Sequence, residues 1–287
     1  REQLRLVGGL APIALVSLVL LLLHALSSLH ASIRPRWLWL LVLALTVVAH
    51  LLAPPRMVMV YAGYMQTDQL IEWNPLRYGA GANWLYGPWL MWLGEDHATV
   101  QSANRLYGVL GTLFLAAFAV ALRPRSKTLG LLTLTLIGLS PLMWRDHASE
   151  SILVGGWCLL SAALYGLAVA MRGEVSRAVL AIPVGLIAVM TRPEYGLALV
   201  TVLTGLFLAW RPPWRSRQWG AAALGVLSLG LVGWVHETFI AARLDMLTST
   251  GALPGYDGLW ARALNDFLGF GGLSVVVDYG PAFVVLP

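Results

Sequence analysis

The chain alternates long apolar runs with short polar gaps. A helix needs about 20 apolar residues to cross a bilayer, and runs of that order cover 7–29, 37–53, 103–122, 128–143, 150–171, 177–191, 194–210 and 218–240. A further run begins near 267. The pair 177–191 and 194–210 is interrupted by Thr191-Arg192-Pro193-Glu194. Arg and Glu at mid-bilayer are costly, and Pro breaks the helical hydrogen-bond ladder. The motif therefore predicts a tight turn between two helices, with Pro193 at a helix start and Glu194 favoured by the positive helix N-terminus. One gap, 54–102, is long and rich in Tyr, Trp, Gly and Pro, and residues 84–93 within it read as an interfacial segment lying against a membrane. The expected fold is all-α: a polytopic transmembrane bundle of about eight or nine spans. It forms one transmembrane domain over 1–287, with 54–102 as its first large outer loop.

Charge adds a direction to this pattern. Gaps holding Arg34/Arg36, Arg123/Arg125/Lys127, Arg172/Arg177 and Arg211/Arg215/Arg217 alternate with gaps that hold nearly every carboxylate. The acidic gaps carry Asp68, Glu72, Glu95 and Asp96, then Asp146 and Glu150, then Glu194, then Glu237, Asp245, Asp257 and Asp266. Glu2 and Glu174 depart from the pattern. The positive-inside rule puts the arginine gaps on the cytoplasmic side, so 54–102, 143–149, 191–194 and 241–266 are expected outside. The N-terminus is then outside too, despite Arg1 and Arg5. Trp37, Trp39, Trp210, Trp214 and Trp219 flank the arginine-rich side as an interfacial aromatic belt would, and Trp144 lies near the opposite interface.

Composition excludes several classes. Apolar residues make up 58% of the 287 and charged residues 11%, with mean hydropathy +0.73, whereas soluble domains carry about 25% charged residues. A net charge of +5 with almost no lysine and no basic stripe does not describe a nucleic-acid partner. Arginines at span ends read instead as anchors beside anionic lipid. Cys158 is the one cysteine and lies in an apolar run, which removes an intrachain disulfide or a cysteine metal site. The first run is too long for a signal-peptide core. The chain opens at Arg1 and stops at Pro287 inside an apolar stretch, as a fragment of a longer protein would. A P-loop, a dinucleotide fingerprint, HExxH and the Gly-x-Ser-x-Gly elbow do not occur. An outward-facing enzyme of this kind would draw its driving force from an activated lipid-linked donor.

Three polar patches adjoin the acid-bearing side. Asp68, shortly after a span, is either a solvated loop aspartate or a general base, or a ligand for a divalent cation. Glu72 follows at i+4 and shares its face in a helix. In Trp144-Arg145-Asp146-His147-Ala-Ser-Glu150, Asp146 and Glu150 lie one helical turn apart. Glu150 is either a helix-start acid or a second functional carboxylate. Arg145 either pairs with Asp146 or binds an anionic phosphate, and His147 is a proton carrier or an interfacial residue. Arg192 and Glu194 either pair with each other or grip a lipid phosphate through the arginine. His24 and His50 read as polar residues within or at the ends of spans, while His236 and Glu237 end a span.

The order of these elements resembles the GT-C superfamily of polytopic glycosyltransferases, which includes protein O-mannosyltransferases and the lipid A aminoarabinose transferases. The resemblance runs through Asp68-Gln-Leu-Ile, Leu85-Tyr-Gly-Pro-Trp-Leu, Gly94-Glu-Asp, Ala103-Asn-Arg-Leu-Tyr-Gly, Leu139-Ser-Pro-Leu-Met-Trp-Arg-Asp-His and Ile187-Ala-Val-Met-Thr-Arg-Pro-Glu, covering about 37–210. It implies transfer of a sugar from a polyprenyl-phosphate-linked donor to a lipid, glycan or protein acceptor, at the outer face of a bacterial-type inner membrane. It also implies Asp68 as catalytic base, Glu150 as second acid and Arg192 as a donor-phosphate contact. Many members have Asp-Glu where this chain has Asp68-Gln69, which leaves metal use and the second carboxylate open. Two rivals stand beside it. A non-catalytic subunit with membrane-protein partners would keep the scaffold, since function lives in the site. A transporter or flippase would place ionisable residues mid-membrane, whereas here they sit at span ends.

Overall fold

A computed structural model describes residues 2–55, 70, 81–124, 126, 128–149, 151–174, 176–192 and 194–210. The chain divides into two compact units, Arg1–His236 and Glu237–Pro287, and every described residue belongs to the first. The spans expected over 218–240 and from 267 lie outside the described residues.

The described residues form helices and no strand. In order these are α1 (Glu2–Ser32), α2 (Arg36–Leu52), α3 (Gly81–Leu93), α4 (His97–Leu122), α5 (Leu129–Gly138), α6 (Pro141–His147), α7 (Leu153–Met171), α8 (Ser176–Thr191) and α9 (Glu194–Trp210). Three are long and apolar enough to cross a membrane: Gly9–Ser32 of α1, α4 and α7. α2, α5 and α8 are shorter apolar helices. The expected break between 191 and 194 is present, with α8 ending on the Arg192 N–H to Ala188 carbonyl bond.

The run 128–143 is not one span, contrary to the periodic reading. α5 has 10 residues, about 15 Å at 1.5 Å per residue, too short for a hydrocarbon core of about 30 Å. The break falls at Leu139-Ser140 because Pro141 has no N–H to continue the ladder and opens α6 instead. The Trp144 indole N–H donates to the Gly138 carbonyl at 2.6 Å, satisfying a group that the break frees.

α7 is central: 78% of its most apolar stretch is buried, against 28% for α1. It packs most extensively on α8 and α4. Small residues permit that approach, as is usual where helices meet without a hydrophobic drive between them. A Cβ on Gly166 would lie 2.8 Å from Ala181 Cβ, and one on Gly185 3.4 Å from Ala163 Cβ. α4 carries two notches of the same kind. Gly111 accepts the Trp157 ring, and Gly108 accepts His147. The faces of α1 and α2 turned away from this core expose Leu15, Val16, Leu23, Leu41 and Leu51, as a lipid-facing surface does.

The polar gaps gather at two ends. At one, the Arg172 guanidinium donates to the Leu122 carbonyl at 2.8 Å, joining the gaps after α4 and α7. Ile33 approaches Gly130 there. Glu174, the carboxylate that breaks the charge pattern, is held between His24 Nε2 and Arg177 Nε, each at 3.4 Å. Its basic neighbours account for its presence among the arginines. Trp37 is 64% exposed on this side, as a belt residue would be, but Trp39 is 4% exposed and points into the core edge-on to His30. Trp39 therefore leaves the predicted belt.

Candidate functional site

The other end of the bundle collects the described parts of the gaps 54–102, 143–149 and 191–194. α3, from the long loop 54–102, is docked there by backbone contact. A Cβ on Gly81 would lie 2.6 Å from the Met190 carbonyl carbon and the Thr191 nitrogen, so only a glycine lets α3 start against the end of α8. One turn on, Tyr86 is fully buried. Its hydroxyl donates to Asn104 Oδ1 on α4 and accepts from the Gly155 N–H at 3.0 Å. Burial, above all, pushes that hydroxyl well above the usual tyrosine range, which keeps it a donor.

Asn104 is fixed in both senses. Its Nδ2 donates to the Ser149 carbonyl at 2.7 Å and the Ser151 carbonyl at 2.9 Å. Carbonyls only accept, so the amide has a single orientation that satisfies Tyr86 as well. The elbow between α6 and α7 is thereby clamped on both sides of position 150. Beside it, the Tyr195 hydroxyl on α9 donates to the Leu153 carbonyl at 2.9 Å. Gly156 approaches the Tyr195 ring and Thr191 Cγ2. The elbow 149–151 and the turn 191–194 are thus neighbours, bridged by α3 and the first turn of α9.

Next to this network, the Trp89 indole donates to the Tyr107 hydroxyl at 2.8 Å, and that hydroxyl donates to the Leu85 carbonyl at 2.7 Å. Arg105, one residue after Asn104, donates from Nη2 to the Ala53 carbonyl at 2.8 Å, at the start of the loop that carries Asp68. Its Nε is buried and meets no acceptor among the described residues. Buried polar groups are nearly always bonded, so a guanidinium with a spare buried donor is a place where an anion fits.

His147 lies deeper in the slot. Its ring stacks on His50 at 5.0 Å between centroids and tilts against Trp157 at 5.1 Å. His50 Nδ1 faces the Thr46 carbonyl at 2.8 Å, and His50 Nε2 faces His147 Nδ1 at 2.8 Å. A carbonyl cannot donate, so the neutral His50 carries its proton on Nδ1 and accepts on Nε2; His147 then donates from Nδ1. Burial, and next the neighbouring His50 imidazole, push the His147 imidazole down to about 3. A proton entering at His147 could not pass on beyond the Thr46 carbonyl. In this arrangement His147 packs as a neutral imidazole against His50 and Trp157.

The sequence-predicted residues divide accordingly. Asp68, Glu72 and Glu150 lie outside the described residues, although Ser149 and Ser151 fix the backbone on either side of Glu150. Arg145 and Asp146 are on α6, and Glu194 is the first residue of α9. Arg192 is half-buried at the turn. Asp96 has a structural role, capping α4 by accepting from the Thr99 N–H at 2.7 Å. That bond holds its carboxyl below the usual range. Sequence reasoning missed Tyr86, Asn104, Arg105 and the His50 contact. Asn104-Arg105 did carry a signal, being a polar pair inside an apolar run, which is functional by default in a bilayer. Among the described residues, no group of three or more His, Cys, Asp or Glu could hold a metal ion. No protein-family model, curated protein or solved structure matches the chain.

Proposed function

We propose that the chain is a membrane glycosyltransferase of the GT-C type, using a polyprenyl-phosphate-linked sugar at the outer face of a bacterial-type inner membrane. The observation that carries the reading is the clamping of the elbow around Glu150 beside the Arg192 turn, with Arg105 and the start of the loop of Asp68 at the same end of the bundle. In this scheme Asp68 takes the proton of an acceptor hydroxyl. The oxygen attacks the anomeric carbon, the bond from that carbon to the phosphate oxygen breaks, and the polyprenyl phosphate leaves. Arg105 and Arg192 stabilise the charge that develops on the leaving phosphate. Glu150 serves as the second carboxylate. Glu72, Arg145, Asp146 and Glu194 belong to the surrounding substrate surface. His147 orients the elbow from beneath.

Titrating the purified chain in detergent with a long-chain polyprenyl monophosphate should give saturable binding. Charge-assisted hydrogen bonds are worth about 1.5–3 kcal/mol, so Arg105→Met and Arg192→Met should each weaken binding roughly 10- to 100-fold. Asp68→Asn and Glu150→Gln should leave lipid-phosphate binding intact while abolishing sugar release from polyprenyl-phosphate donors. Absence of saturable binding, or binding indifferent to both arginines, would remove the reading and leave a structural subunit in its place.

A further inference from the structure

The opposite end of the bundle holds a separate cavity of about 640 Å³, lined by Arg123, Pro124, Ser126 and Arg172. Arg123 follows the last residue of α4, and Arg172 the last residue of α7. Both helices are long enough to cross a bilayer, so a cavity at their ends sits at the level of lipid headgroups. The Arg172 guanidinium is aimed by its bond to the Leu122 carbonyl. The Ser126 hydroxyl accepts from the Leu129 N–H at 3.3 Å, which places the cavity at the start of α5 as well. Among the described residues, two arginines and a serine line this space together with Pro124.

An anion at an opening lined by two arginines is attracted by both charges. Helix C-terminal carbonyls supply some compensation, since cations are favoured there. Arg172 gives that compensation to the end of α4 through the Leu122 carbonyl, and the same contact brings it beside Arg123 at one cavity. The volume falls in the range of about 300–1,000 Å³ typical of small-ligand sites, enough for a phosphate with its glycerol or sugar. Guanidinium forks match phosphate oxygens two at a time, and a serine hydroxyl can donate a third bond.

We infer that Arg123, Arg172 and Ser126 form a binding site for the phosphate headgroup of an anionic membrane lipid, in the leaflet on the arginine-bearing side. The site is independent of the chemistry proposed at the other end. It goes beyond the diffuse attraction that exposed arginines have for anionic bilayers, because it places two guanidiniums and a hydroxyl round one headgroup.

The test uses the full chain in nanodiscs of phosphatidylcholine with and without phosphatidylglycerol, reading retained lipid by native mass spectrometry. The wild type should keep phosphatidylglycerol over phosphatidylcholine by about tenfold or more, taking each basic residue near the surface as worth about 1 kcal/mol. Arg123→Gln with Arg172→Gln should lose the preference. Arg34→Gln with Arg36→Gln, exposed on the same side, should keep it. Arg172→Lys conserves charge and spares folding, and should still lower retention because the fork is lost. Equal retention of the two lipids by the wild type would overturn the site, as would equal loss in the Arg34/Arg36 variant. Displacement of the lipid by millimolar inorganic phosphate would assign the cavity to a soluble anion and overturn the lipid assignment.

Discussion

His147 shows how a single side chain changes meaning once its partners are known. In the sequence it stands among Arg145, Asp146 and Glu150, where an imidazole suggests proton transfer. In the fold it is 3% exposed, donates to His50 and fills the notch at Gly108. The sign of its pH effect follows. The folded imidazole titrates at about 3, against 6.5 when unperturbed, so between those values the unfolded chain binds more protons. Its contribution to stability is complete above pH 6.5 and is lost as pH falls toward 3. From pH 6.5 to 4.5 the wild type should lose about 2–3 kcal/mol more than His147→Gln, at roughly 1.4 kcal/mol per pH unit. Denaturation midpoints across pH in one detergent would measure the difference, and parallel curves would mean that His147 protonates freely in the folded state. The sequence could not show this, because His50 and His147 are 97 positions apart and neither has a local pattern that points to the other. Asn104 and Arg105 were closer to legible: a polar pair in an apolar run is visible, although its contacts with Ser149, Ser151 and Ala53 are not.

At the scale of the elements, apolar periodicity located the helices well and described their packing poorly. The long runs became α1, α4 and α7, and Thr191-Arg192-Pro193-Glu194 became a turn, because Pro and paired charges are local signals. The break between α5 and α6 was obscured because Leu139-Ser140-Pro141-Leu142 is apolar enough to be averaged into a span. The notches were legible only as glycines, without their occupants. Gly108→Ala tests how rigid such a notch is. Its Cβ would stand 2.2 Å from His147 Nδ1 and 2.8 Å from His147 Cβ, so rotation of the ring alone cannot clear it. An overpacking cost of about 1–3 kcal/mol is expected, visible as a lowered thermal midpoint. Gly205→Ala on α9, where nothing lies within 4 Å, should be neutral or gain up to about 1 kcal/mol from helix propensity. Equal effects of the two would show that helix flexibility, and not the His147 contact, sets the response at Gly108.

At the scale of the molecule, the alternation of charge along the chain becomes a separation in space among the described residues. Glu174 is the informative exception, since His24 and Arg177 surround it at the basic end, while Asn104, Tyr86 and Tyr195 draw the acid-bearing gaps together at the other. The positive-inside rule then predicts which end faces the cytoplasm, and thiol labelling can test it. Cys158, the sole cysteine, is buried, so Cys158→Ser should give a silent background for single cysteines. Glu95→Cys and Ser176→Cys occupy exposed positions at opposite ends. In intact cells a membrane-impermeant maleimide should label Glu95→Cys alone, and Ser176→Cys should react only after the membrane is opened. Labelling of both from outside would contradict a bilayer lying between the two ends. The inverse result would turn the acid-bearing end toward the cytoplasm, and transfer at the outer face from a lipid-linked donor would then lose its geometry even with every helix as described.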